Sequence, residues 1–265
     1  PVYSSWSDPT KTTEITYDPA DSTKKVITET KLYYDNPAHI NVTRQEISKS
    51  ENEKYKIQFR YPQDYNPSYP YNASPVVEKR IMINQGGADR LVDAELTTHL
   101  NQAGAFPENY YNLNTTGAIL PSAIPLYGGG AIDNNYEKRR SYVYDSQNNL
   151  VSFVSDNIMR VSQKWGYKNQ YVIAEVKNAN TNEYFYEGFE DNSTSSTLNP
   201  HTGLKSNQGA FYVNFTLANA REYVRSYWYF DGAWKFSGEI PYTGPNTISA
   251  GTYIDDVRVH PKDAQ

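Results

Sequence analysis

The feature that most constrains this chain is the stretch over residues 141–179, SYVYDSQNNLVSFVSDNIMRVSQKWGYKNQYVIAEVKNA. It opens on Tyr144-Asp145 and a polar turn. A short apolar run from Leu150-Val151 follows, then a turn at Ser155-Asp156-Asn157, then a run ending in Trp165-Gly166-Tyr167. Both runs are rich in β-branched and aromatic residues and are bounded by Ser, Asp and Asn, which predicts an antiparallel hairpin. In the second run Met159, Val161, Trp165 and Tyr167 share one parity, and so one face of a strand.

The same grammar recurs along the chain. Residues 14–17 and 25–34 alternate apolar and polar, with Asp18-Pro19 as the turn between them. Tyr17-Asp18 and Tyr34-Asp35 repeat the Tyr-Asp pair. Asn36-Pro37 turns before a strand over residues 40–47, and residues 51–53 form the next turn. Tyr55, Ile57, Phe59 and Tyr61 alternate with Lys54, Lys56, Gln58 and Arg60, predicting a half-buried strand with one wet side. Residues 61–75 are dense in proline and tyrosine and cannot pair in a central sheet. They read as an extended loop with rings laid on its neighbours. Residues 76–83 return to strand. Val92, Leu96, Leu100 and Ala103 then recur at helical spacing with Gly104 as a C-terminal cap, predicting one helix over residues 89–103. Residues 106–111 and 118–127 read as short strands or extended segments. Gly128-Gly129-Gly130 lacks a following Gly-Lys-Ser/Thr, so it reads as a flexible connection and not a phosphate loop. Trp6 is the single large anchor of the first twelve residues.

A second domain is expected from near Asn182. Phe211, Val213, Phe215 and Leu217 alternate with polar residues, and residues 223–230 are aromatic on both faces. Asp231-Gly232 is a strong hairpin signal, with residues 234–240 pairing back and residues 252–260 closing the domain. Short alternating strands at close spacing predict a β-sandwich. Among the rings, Trp228 and Phe230 are expected on one face and Tyr227 and Tyr229 on the other. In the last strand Tyr253, Val257 and Val259 have core parity, which places Asp255 inward. A buried carboxylate is costly unless paired, hydrogen-bonded or bound to a cation. Two readings stand for it: capping of backbone amides or pairing with Arg258 or Arg221, and a calcium ion, whose preference for several hard oxygens carboxylates satisfy.

Composition narrows the function classes. The net charge is −5 with signs interspersed, so there is no basic block to neutralise phosphates and nucleic acid is not an expected partner. Mean hydropathy is −0.77, and no apolar run is long enough for a membrane span. The chain has no Cys, which removes disulfides and thiol nucleophiles. Gly-x-Ser-x-Gly is missing, and His39, His99, His201 and His260 lie in unrelated segments without metal-pair spacing. Acidic residues sit mostly in turns. The expectation is therefore a protein that is not an enzyme. The first residues have neither the basic start nor the apolar core of a signal peptide, and both ends read as cut from a longer polypeptide.

The Tyr-Asp turns, the hairpin grammar and the segment WGYKNQYVIAEVKNA resemble the RHS/YD-repeat family, large β-structured proteins of bacterial surfaces and toxins. Asn148-Asn149 stands where that family usually carries a Gly. The later layout, Gly188-Phe189-Glu190, then HTGLKS over residues 201–206, then Ile254-Asp255-Asp256-Val257, resembles a jelly-roll carbohydrate-binding module. That second resemblance implies a structural calcium held by Glu190, by Asp255 or Asp256, and by backbone carbonyls near Gly188 and Lys205. It also implies glycan binding, for which Tyr227, Trp228, Tyr229 and Trp234 are the candidate rings.

Together these readings give an all-β chain: an antiparallel YD/RHS-like hairpin array over residues 1–180, then a jelly-roll β-sandwich over residues 181–265. The implied setting is a secreted or cell-surface bacterial protein used in adhesion or cell contact, and the combination resembles cargo of the type IX secretion system. The alternatives are part of the β-shell of a polymorphic toxin and an accessory region of a polysaccharide hydrolase.

Overall fold

A computed structural model describes residues 9–49, 54–69, 75–85, 87–100, 106–192 and 194–265. Trp6, the turn over residues 51–53 and the Ala103-Gly104 cap lie outside these residues. The chain is all-β, built from antiparallel sheets, and it divides into two compact units, residues 1–139 and 140–265.

Among the described residues the first unit runs through β1 Lys11–Tyr17, β2 Lys25–Tyr33, β3 Arg44–Lys49, β4 Lys54–Arg60, β5 Glu78–Gln85, β6 Ala88–Leu100 and β7 Phe106–Leu113. Each pairs antiparallel with the one before it. Turn chemistry sets the register, as where Asp18 Oδ1 accepts the Ala20 N–H at 2.8 Å. In β4 no clean wet side develops, because every residue after Lys54 is half-buried.

The expected helix over residues 89–103 is instead strand β6. Its pairing with β5 sets Ile81 against Asp93 and Met82 against Leu91, so Val92 is an extra, bulged residue. Leu91, Ala94 and Leu96 are buried. The bulge converts a period of two into a three-residue step, and the spacing of Val92, Leu96 and Leu100 imitated a helix face. Pro107 is tolerated in β7 because a second register shift falls at Thr98/His99, beside it.

The core of this unit gathers Val77, Met82, Leu91, Ala94, Leu96, Ile124 and Tyr136. The segment over residues 119–133 closes it, stapled by a buried ion pair. Arg80 Nη2 lies 2.7 Å from Glu78 Oε1, and the guanidinium also donates to the Ile124 carbonyl at 2.9 Å. Glu78 accepts in addition from Tyr136 Oη at 2.8 Å and from the Tyr127 N–H at 3.0 Å. The glycine run is not a free tether: Gly129 has φ +82, and a Cβ there would come within 2.7 Å of the Tyr65 ring.

Strand β8 (Tyr136–Tyr144) crosses the division between units. The second unit continues with β9 Leu150–Ser155, β10 Met159–Gly166 and β11 Tyr171–Lys177, each antiparallel to its predecessor. The Tyr144-Asp145 turn is built by its carboxylate. Asp145 Oδ1 accepts the N–H groups of Gln147 and Asn149 at 2.9 and 2.8 Å, and Asn148 takes the left-handed conformation at φ +65. Asp156 and Asn157 both have positive φ, as a tight hairpin turn requires. Tyr167 falls beyond β10 in a left-handed turn, so it does not share the strand face with Val161.

The sandwich-like part begins where the sheet changes, between Lys177 and Phe185. Its strands are β12 Phe185–Glu187, β13 Asn207–Gln208, β14 Phe211–Val213, β15 Tyr223–Phe230, β16 Trp234–Phe236, β17 Ile240–Tyr242, β18 Asn246–Ile248 and β19 Tyr253–Pro261. One sheet runs β12-β19-β15-β16, with β13 on β19 and β17 on β15, and β14 pairs with β18 separately. Between them lie Phe189, Val213, Tyr223, Tyr227, Tyr242, Ile248, Ile254, Val257 and Val259. Burying such a side chain contributes roughly 1.5–3 kcal/mol. Phe189 is fully buried and meets Phe211 edge-to-face at 4.9 Å, which holds it at a left-handed φ of +62.

Candidate functional site

A bulge in β19 organises the most distinctive cluster. Ser226 pairs with Arg258 but Trp228 pairs with Asp255, so β19 carries one extra residue opposite Tyr227. Asp256 sits there at φ +49, an unusual conformation for a non-glycine residue. The bulge shifts parity: Ile254, Val257 and Val259 point into the core, and Asp255 lies across the sheet from Trp228. Asp255 is therefore fully buried, yet not on the core side that simple alternation assigned to it.

What covers Asp255 is the loop at His201-Thr202. Asp255 Oδ2 accepts the N–H groups of His201 at 2.9 Å and Thr202 at 3.3 Å, and its Oδ1 accepts the Asp256 N–H at 2.8 Å. Asp256 accepts from Tyr186 Oη at 2.8 Å and Thr202 Oγ1 at 3.0 Å, and lies 2.8 Å from His201 Nδ1. Desolvation pushes the Asp255 carboxyl up to about 6, against the lowering effect of its N–H donors. Of the two readings left open for Asp255, capping of backbone amides is observed directly. Arg221 pairs elsewhere, with Glu183 at 3.3 Å and Asp263 at 2.6 Å.

His201 in turn stacks on Trp228, with ring centroids 4.1 Å apart and planes 18° apart, and meets Trp234 edge-on at 5.2 Å. Phe236, half exposed, lies 5.3 Å from Trp228. Of the four rings proposed for ligand binding, Tyr227 belongs to the core and Tyr229 packs against it, while Trp228 and Trp234 join the outer cluster. Metal-pair spacing does not single out His201 in the sequence. Its position at the head of the HTGLKS stretch was the available signal.

The expected calcium ligands can be tested against the same geometry. Glu190 Oε1 accepts the N–H groups of Leu204 at 2.7 Å and Lys205 at 2.9 Å, and the Lys205 ammonium lies 2.8 Å from the Glu190 carbonyl. Gly188 packs against the Tyr186 ring. Among the described residues no group of three or more His, Asp or Glu side chains is placed to hold a metal ion. In this arrangement the carboxylates of Glu190, Asp255 and Asp256 accept from N–H and O–H donors, and the Lys205 ammonium stands at the Glu190 carbonyl.

No family model matches this chain, and no curated protein matches it.

A second feature of this unit lies where β10 and β11 meet the sandwich. A cleft of about 400 Å³ is lined by Trp165, Tyr167 and Tyr186 and by the carboxylates of Glu187, Glu190 and Asp191. Lys164 borders it, its ammonium bonded to the Tyr186 carbonyl and lowered from its usual range by burial. Each of these carboxylates is bonded to peptide N–H groups. Asp191 accepts from Tyr167 and Lys168, and Glu187 accepts from Phe189.

Proposed function

We propose that this chain is a non-enzymatic scaffold and binding segment of a large bacterial surface or secreted protein of the RHS/YD-repeat kind, with a jelly-roll-like module that binds glycan. The scaffold reading is supported by successive hairpins, whose strands each give their hydrogen-bonding edge to a neighbour and so leave few edges open to aggregation. The observation that carries the binding reading is the outer aromatic cluster, in which Asp256 holds His201 against Trp228 beside Trp234 and the half-exposed Phe236. Flat rings with adjacent polar groups suit the apolar faces and hydroxyls of sugars. Carboxylates bonded to peptide N–H groups favour structural over catalytic roles for the acidic residues.

The experiment is a glycan array probed with the full chain and with Trp234→Ala. Loss of signal in the variant, with unchanged melting, supports the reading. If the unaltered chain binds no glycan at all, the binding part of the proposal is withdrawn.

A further inference from the structure

We propose that the cleft between the last hairpin and the sandwich is a second glycan subsite, selective for neutral or amine-bearing sugars over acidic ones. This inference rests on the glycan-binding reading above but concerns different residues. The cleft is concave, about 400 Å³, and combines ring faces with a few fixed polar groups, the usual make-up of a small-ligand site.

Its shape is set in advance of any ligand. Trp165 is anchored by its indole N–H on the Leu150 carbonyl at 2.8 Å. Tyr167, 40% exposed, projects from a turn whose two N–H groups are clamped by Asp191 at 2.7 and 3.2 Å, and its ring meets Tyr171 edge-on at 6.0 Å. Rings held in place lose little conformational freedom on binding.

The charge balance supplies the selectivity. Glu187, Glu190 and Asp191 line the cleft with one lining lysine, Lys164, whose ammonium is already bonded to the Tyr186 carbonyl, while the neighbouring Lys205 ammonium is taken up by the Glu190 and Asn192 carbonyls. A uronate or sialate would bring a further negative charge into a partly desolvated acidic site, whereas hydroxyls and an ammonium find acceptors there.

The test uses the full chain on an array carrying neutral, amine-bearing and uronate-bearing glycans, with Tyr167→Asn, Glu187→Gln and Trp234→Ala alongside. Asn suits the left-handed φ of +52 at position 167 and removes the ring. The expected result is binding of neutral and amine-bearing glycans only, weakened about tenfold in Tyr167→Asn with unchanged melting. Should Tyr167→Asn melt earlier, Glu187→Gln decides: it keeps the acceptor for the Phe189 N–H, and signal on uronate glycans should rise. Uronates bound by the unaltered chain as tightly as neutral sugars, or binding unchanged by both cleft variants, would overturn the cleft. Loss on Trp234→Ala with neither cleft variant having an effect overturns it too while leaving the outer cluster standing. Silence of the unaltered chain on every glycan overturns both.

Discussion

Asp255 carries its charge at a cost. Burial raises it to about 6 from an ordinary value of 3.8, so the folded chain holds this proton more tightly than the unfolded one. Stability from that proton is fully present below a pH of about 4 and is lost as pH rises through about 6. We expect the melting temperature of the second unit to fall over that window, and the slope to flatten in Asp255→Asn; an unchanged slope in the variant would assign the titration to another group. Calcium is tested at the same residues. Because Glu190, Asp255 and Asp256 are organised by N–H and O–H donors, excess chelator should leave the melting curve in place. A rise of several degrees on adding calcium would restore the ion. In the first unit, Arg80→Met leaves Glu78 buried without its cation. That should lower the unfolding free energy by about 3–5 kcal/mol in urea titration. Alternation in the sequence expected a buried Asp255, but on the core face; the bulge at Asp256 buries it on the other face. The partner that covers it was not legible, because His201 lies more than fifty residues away and nothing local ties the two.

Turns and bulges decide what each strand presents. Asp145 builds its turn by accepting two N–H groups, and Asn148 supplies the left-handed residue that glycine would supply most cheaply. Asn148→Gly should therefore be neutral or stabilising by less than about 1 kcal/mol, while Asn148→Val should cost about 1–2 kcal/mol in thermal melts. Equal losses in both would mean the asparagine side chain, not its backbone, matters. These turns were readable because Asp, Asn and Gly act on their own backbone. The bulges were not. Val92 has the same local surroundings whether it continues a helix, an ideal strand or a bulge, and only its pairing against β5 selects the last.

In the second unit the two sheets are joined by contacts on either side of residue 180. The peptide groups of Lys177 and Gln265 exchange hydrogen bonds at 2.6 and 3.1 Å, Lys164 bonds the Tyr186 carbonyl, and Asp191 clamps the turn at Tyr167. A fragment of residues 140–265 should melt in one transition, and a fragment of residues 181–265 should melt earlier or fail to fold. Two separate transitions in the longer fragment, one matching the shorter, would show that the sandwich is independent of the hairpins.

By itself the sequence determined that this protein is made of antiparallel strands, where most of its turns fall, and that Trp228 and Phe230 part from Tyr227 and Tyr229, because alternation and turn chemistry act within a few residues; which pair faces the core was left to the fold. Only the tertiary structure decided the parity after Val92 and at Asp256, the closure of the first core by Glu78 and Arg80, and the meeting of Asp256, His201 and Trp228. Each depends on how one strand or loop registers against another remote in sequence, and pairing energy across that distance leaves no mark on the local pattern.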